Sequence, residues 1–137
     1  MSGAYELQVG IYDALVADAA LMALIVGVYD NPAQPTDAGD NTVFLYVTIG
    51  EDDITPWDTD TETGGEATAN IHTWSRSHSR LQTKQIQQAI YDVLHRGTIT
   101  MAGYTVVGID LQNQGNVRDP DGITTHGVQT LKIIYEG

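Results

Sequence analysis

Cysteine is absent from the 137-residue chain, which excludes disulfides, thiolate-bound zinc, iron–sulfur clusters and a cysteine nucleophile. Positive charge is scarce. Six Lys and Arg stand against 18 Asp and Glu, a formal net charge of −12. Such a chain is repelled by free nucleic acid and by anionic membrane surfaces, so sequence-specific nucleic-acid binding is not expected. No Lys or Arg precedes Arg76, so the 13 acids of residues 1–75 are uncompensated, whereas the five acids and six bases that follow nearly balance. Long apolar runs are also missing. The longest, residues 19–28, is about half of what spans a bilayer, and residues 1–7 lack the basic start of a secretory or mitochondrial leader. The expectation is a protein without membrane contact, folded as one domain over residues 1–137, a length that buries roughly 68% of the unfolded surface.

The apolar periodicity supplies the elements. Leu7, Ile11, Ala14 and Leu15 recur at helical spacing and predict a helix over residues 4–17. Asp18 is placed to cap a short second helix over residues 19–25. Residues 26–29 read as a short strand and 30–41, rich in Pro, Gly, Asn and Asp, as a loop. Residues 42–49 are dense in β-branched and aromatic side chains and predict a strand. The stretch 51–66 has seven acids, no base, a Pro and a Gly-Gly pair, which reads as a solvated loop. Residues 67–74 alternate apolar and polar, the period of a half-buried strand. A helix is expected over 77–95, with Ile86, Ala89, Ile90, Val93 and Leu94 inward and Gly97 as its left-handed stop. Strands over 104–111 and 124–135, joined by a turn-rich loop at 113–122, end the chain. The fold class that follows is α+β: a mostly antiparallel sheet of about four to five strands with two main helices packed on it, in the order helix, strands, helix, two strands.

Catalytic signatures are missing. His72, His78, His95 and His126 lack the i,i+4 spacing of a metal pair, and His72 is expected on the polar face of its strand. Asp58, Asp60 and Glu62 alternate as in a calcium loop, but Thr63 replaces the required Gly and Ala69 the bidentate Glu. Gly103 and Gly108 match half of a phosphate loop, yet Ile109 and Asp110 replace its Lys and Ser/Thr, so a turn and a close strand contact are expected instead. No Gly-x-Ser-x-Gly elbow is present. No enzyme activity, cofactor or metal is expected.

The helix surfaces carry more. On the long helix, the face opposite Ile90 holds Leu81, Gln85, Gln88, Asp92 and His95, far less charged than an ordinary solvated face. Arg76, Arg80 and Lys84 run along its flank at four-residue spacing. On the first helix, Tyr5, Val9, Tyr12 and Val16 form a second ridge. These ridges either pack inside the domain or are ordinary exposed apolar residues, or they meet neighbouring subunits.

One set of motifs points to a family. Asn70-Ile-His-Thr-Trp74-Ser-Arg76 leads straight into the long helix; Val28-Tyr-Asp-Asn-Pro32 follows the early helices; Val47-Thr-Ile-Gly-Glu51 ends a strand; Val117-Arg-Asp-Pro-Asp-Gly122 precedes His126-Gly127 and the last strand. In this order, over residues 5–135, they resemble the phage tail-completion family, also called tail terminators or tail-to-head joining proteins, of long-tailed phages and gene transfer agents. The resemblance implies a structural virion subunit that forms a hexameric ring on the tail tube. The ring ends polymerisation of the tube and presents a surface to the head connector, with DNA passing through. Assembly would take place in the host cytoplasm. In such a ring, the residues expected at subunit or partner contacts, from the helix ridges and the cationic flank together with Trp74, are Tyr5, Val9, Tyr12, Trp74, Arg76, Arg80, Leu81, Lys84, Gln85 and Gln88. Glu51, Asp52, Asp53, Asp58, Asp60 and Glu62 would face the lumen or a partner. The alternatives are another neck or connector adaptor, and a small metal-dependent hydrolase built on the acidic loop and His72.

Overall fold

The computed structural model describes residues 3–29, 45–58, 63–76, 80–120, 122 and 124–137. Helices α1 (Ala4–Val16) and α2 (Ala19–Met22) come first, then strands β1 (Gly27–Tyr29), β2 (Tyr46–Pro56) and β3 (Gly64–Ser75), helix α3 (Leu81–Leu94), and strands β4 (Thr105–Arg118) and β5 (Thr125–Glu136). The strands form one sheet in the order β1-β2-β3-β5-β4. Only β1–β2 is parallel; the other pairings are antiparallel. The expected α+β class and element order stand.

Alternation on the strands decides which face is covered. Ala67, Ala69 and Ile71 of β3 and Leu131, Ile133 and Tyr135 of β5 point the same way and are buried. Leu7, Ile11 and Leu15 of α1 and Ile86, Ile90 and Leu94 of α3 close over them in one apolar cluster. Asp18 caps α2 as expected, its Oδ2 accepting from the Leu21 N–H at 2.9 Å. The far face of the same strands carries His72, Trp74, His126, Val128, Thr130 and Lys132, all half-buried, with no helix upon it among the described residues.

Several boundaries depart from the sequence reading. The stretch 51–66 is mainly a hairpin, not a loop: Glu51, Asp52 and Asp53 lie in β2, past a bulge between Ile49 and Asp52, and Glu66 lies in β3. Likewise 113–118 continues β4, pairing with Thr125–Thr130 of β5. Both segments are polar and exposed at consecutive positions, on both sides of the strand, so main-chain pairing with the neighbouring strand decides their conformation. At the end of α3, Arg96 rather than Gly97 takes the left-handed turn (φ 56°), because its N–H bonds the Ile109 carbonyl at 2.8 Å. Gly97 serves close approach instead, since a Cβ there would run into the Val93 carbonyl. Gly103 occupies a turn at φ 84°, but Gly108 sits in open space beside a β4 bulge and makes no close strand contact.

The core contains polar groups that the inward face expected for α3 did not include. Thr83 and Gln87 are fully buried. Gln87 Nε2 donates to the Gly115 carbonyl at 3.2 Å, and its Oε1 accepts from Asn116 Nδ2 at 3.0 Å. Gln129 Nε2 donates to the Gln87 carbonyl at 3.0 Å. These bonds clamp the distal half of the β4–β5 hairpin to α3.

Candidate functional site

The expected interface residues fall on three separate surfaces. On α1, Tyr5 is 77% exposed, and Val9 and Tyr12 line an apolar cleft with Gln8, Tyr29 and Ile49. On α3, Leu81 is 63% exposed, and Arg80, Lys84, Gln85 and Gln88 are exposed along the same helix. Gln88 Nε2 donates to Asp92 Oδ1 at 2.9 Å, an i,i+4 bond along the solvent side. Arg76 is half-buried, its Nε donating to Thr124 Oγ1 at 3.3 Å. Trp74 lies apart from both helices, on the open face of the sheet, with Nε1 donating to Thr48 Oγ1 at 3.2 Å.

Charge is segregated along the strands. Arg76 and Arg118 stand where β3 and β4 end, and Arg80 and Lys84 open α3 at the same end. Asp52, Asp53, Glu66 and Glu136 mark the other half of the sheet, where Asp58 Oδ1 also accepts from the Gly64 N–H at 3.3 Å. Lys132 also lies there, 3.2 Å from Glu66. Asp60, Glu62 and His78 lie outside the described residues.

A histidine cluster went unforeseen. His72 stands on the polar face of β3, as expected, but β5 brings His126 against it although 54 positions separate them. The two rings meet edge to edge, Nδ1 of His72 lying 2.6 Å from Nε2 of His126. His72 Nε2 reaches Glu51 Oε2 at 3.1 Å. The His126 ring stacks on Trp74 with centroids 3.9 Å apart and planes within 6°. Burial, and then the neighbouring His72, push the His126 imidazole below its ordinary value, against the opposing pull of Asp119 and Glu51. Glu51 is held below the usual carboxylate value chiefly by its own backbone N–H, and further by His72. The register pair Trp74–His126 was the missing signal; it becomes visible only once β3 and β5 are known to be neighbours.

Among the described residues, two edges of the sheet are open: β1 pairs with Tyr46–Thr48 and leaves the rest of the outer side of β2 without a strand, and β4 has its neighbour on the β5 side. Among the described residues, no three His, Asp or Glu side chains form a ready metal cage, and no helix is long and apolar enough to cross a membrane.

Comparison with known proteins adds family evidence. Residues 9–136 match the model of the family described as tail completion protein gp17. The tail completion protein gp17 of Bacillus phage SPP1 is 26% identical over 127 residues, covering 93% of this chain and 90% of that protein. A chain of the virion of a native gene transfer agent particle superposes with a TM-score of 0.83 at 23% identity, covering 96% of this chain and 95% of that one. The structure of bacteriophage SPP1 gp17 superposes with a TM-score of 0.63 at 24% identity, over 93% of this chain and 86% of its own. These two superpositions establish a shared fold.

Proposed function

This chain belongs to the tail completion protein gp17 family, and from that premise we propose that it is a non-catalytic virion subunit. Copies of it form a closed, hexameric ring on the head-proximal end of the tail tube. The ring ends tube polymerisation and offers its other side to the head connector. The observation that carries this reading is the β4 edge. It is 14 residues long with only Asp110 and Arg118 charged, and it exposes Val107 and Val117. Natural edge strands of this length are ordinarily blunted by Lys, Pro or a covering segment. The two β4 bulges are the only such device it has among the described residues.

The strand directions favour lateral repetition. β4 runs opposite to β5, and β5 runs parallel to β2 because both are antiparallel to β3. A neighbour rotated about an axis along the strands therefore presents its β1–β2 edge antiparallel to β4. Repeated rotation closes such a heterologous contact into a ring. The outer residues of α1 and α3 then serve as flanking contacts. Arg80 and Lys84 pair with acids of adjoining subunits or of a partner ring, and the acidic hairpin faces the lumen or a partner. A strongly negative channel wall repels passing DNA rather than retaining it.

Lysine at both Val107 and Val117 tests the reading. The doubly substituted subunit should keep the wild-type melting temperature and fail to enter tails. Normal incorporation into tails would contradict the ring contact.

A further inference from the structure

We propose that His72 and His126 form a two-nitrogen binding site for a late first-row divalent cation on the open face of the sheet, with Glu51 as its orienting carboxylate. The argument begins with hydrogen positions. A carboxylate only accepts, so the 3.1 Å contact between Glu51 Oε2 and His72 Nε2 places the ring hydrogen on Nε2. Nδ1 of His72 is then the lone-pair nitrogen, and it faces Nε2 of His126 at 2.6 Å. Without metal, a single hydrogen, donated by His126 Nε2, occupies that gap.

A cation replaces that hydrogen. The His126 proton moves from Nε2 to Nδ1 of the same ring, and two lone pairs then converge from adjacent strands. Metal–nitrogen bonds of about 2.0–2.1 Å around one ion put the two nitrogens about 3 Å apart. Opening the gap to that distance requires both imidazole rings to turn off the line that now joins their nitrogens. Imidazole donors select copper, nickel and zinc over magnesium and calcium. A histidine ligand that donates its other N–H to a carboxylate is the usual arrangement around such ions, because the carboxylate fixes the tautomer and raises ligand basicity. With no three-residue cage among the described residues, water completes the coordination.

Trp74 supplies the readout. Its ring lies 3.9 Å from that of His126, so Cu2+ held by His126 quenches Trp74 fluorescence. The chain has two tryptophans, and Trp57→Phe leaves Trp74 as the only tryptophan, excited selectively over the tyrosines at the red edge of the absorption band. In that background, Cu2+ should quench saturably at one equivalent, Zn2+ should compete without quenching, and Mg2+ should do neither. His72→Ala and His126→Ala should each abolish saturable quenching while far-ultraviolet circular dichroism remains unchanged. Glu51→Gln should raise the midpoint about 10–100-fold. Because His126→Ala removes the ring stacked on Trp74, calorimetric titration with Zn2+ repeats the comparison without fluorescence. Absence of saturable binding to the unsubstituted pair, or binding that survives removal of either imidazole, would overturn the site. An unchanged midpoint in Glu51→Gln would overturn the role of the carboxylate.

Discussion

Ile133 and Ile134 are neighbours in β5, yet Ile133 belongs to the apolar cluster under the helices while Ile134 stands half-buried on the uncovered face. The same division runs along β3, where Ile71 is sealed and His72 is not. The two faces of one sheet therefore do different work. The helix-covered face holds the fold together, whereas the open face carries Trp74 and the histidine cluster. Because side chains alternate at a period of two, a one-residue step exchanges these roles.

The sharpest way to break this comparison is to truncate the two isoleucines in turn. Ile133→Ala should cost about 2–5 kcal/mol, lost transfer energy plus the cavity left behind. Ile134→Ala should cost less than about 1 kcal/mol, because its side chain already meets water. Chemical denaturation of both variants checks the ratio, and equal losses would mean that the far face is covered in the isolated subunit.

An adjacent pair on α3 makes the comparison for polar groups. Gln87→Ala should cost about 1–3 kcal/mol, since it empties a fully buried site and removes the partner of the Gly115 carbonyl and the partly buried Asn116 amide. Gln88→Ala removes only a surface bond to Asp92 and should stay within about 0.5 kcal/mol. Thermal melts distinguish the two.

A third substitution separates stability from assembly. Leu81→Asp combined with Gln88→Glu should shift subunit stability by less than about 0.5 kcal/mol and yet block incorporation into tails. Charge buried unpaired in a protein contact costs several kcal/mol. Destabilisation comparable to that of Ile133→Ala would show that this flank of α3 is core.

The smallest expected effect is alkaline. Burial, and then the neighbouring Tyr104, push the Tyr135 phenol above its ordinary value of 10.0. The folded state therefore binds that proton more tightly than the unfolded chain does. The resulting stabilisation is fully present below pH 10.0 and is lost as pH rises through the folded value. Tyr135→Phe should flatten the decline in stability above that pH, measured by denaturant melts, and leave the neutral range nearly unchanged.

Much of the covered face was legible in the sequence, because Leu7, Ile11, Leu15, Ile86, Ile90 and Leu94 repeat at helical spacing and Ala67, Ala69 and Ile71 alternate. The open face was legible only in its β3 part, where His72 was placed on the polar side. Its strands continue through Glu51–Asp53 and Asn113–Arg118, polar segments whose extended state rests on cross-strand pairing rather than local propensity. Gln87 resembled a solvent-facing residue by type, although its spacing from Thr83, Ile90 and Leu94 places it inward. The His72–His126 contact depends on strand order, which no local window contains. Family membership was readable earlier, because Asn70–Arg76 and Val117–Gly122 are contiguous motifs.

The central claim is a ring closed through the open edges of the sheet, and electron cryo-microscopy of assembled tails containing this chain tests it most directly. The account predicts a closed ring at the head-proximal end of the tube, with each β4 edge against the β1–β2 edge of the next subunit. A ring whose β4 edges face solvent, or copies of this chain found singly or elsewhere in the particle, would contradict it.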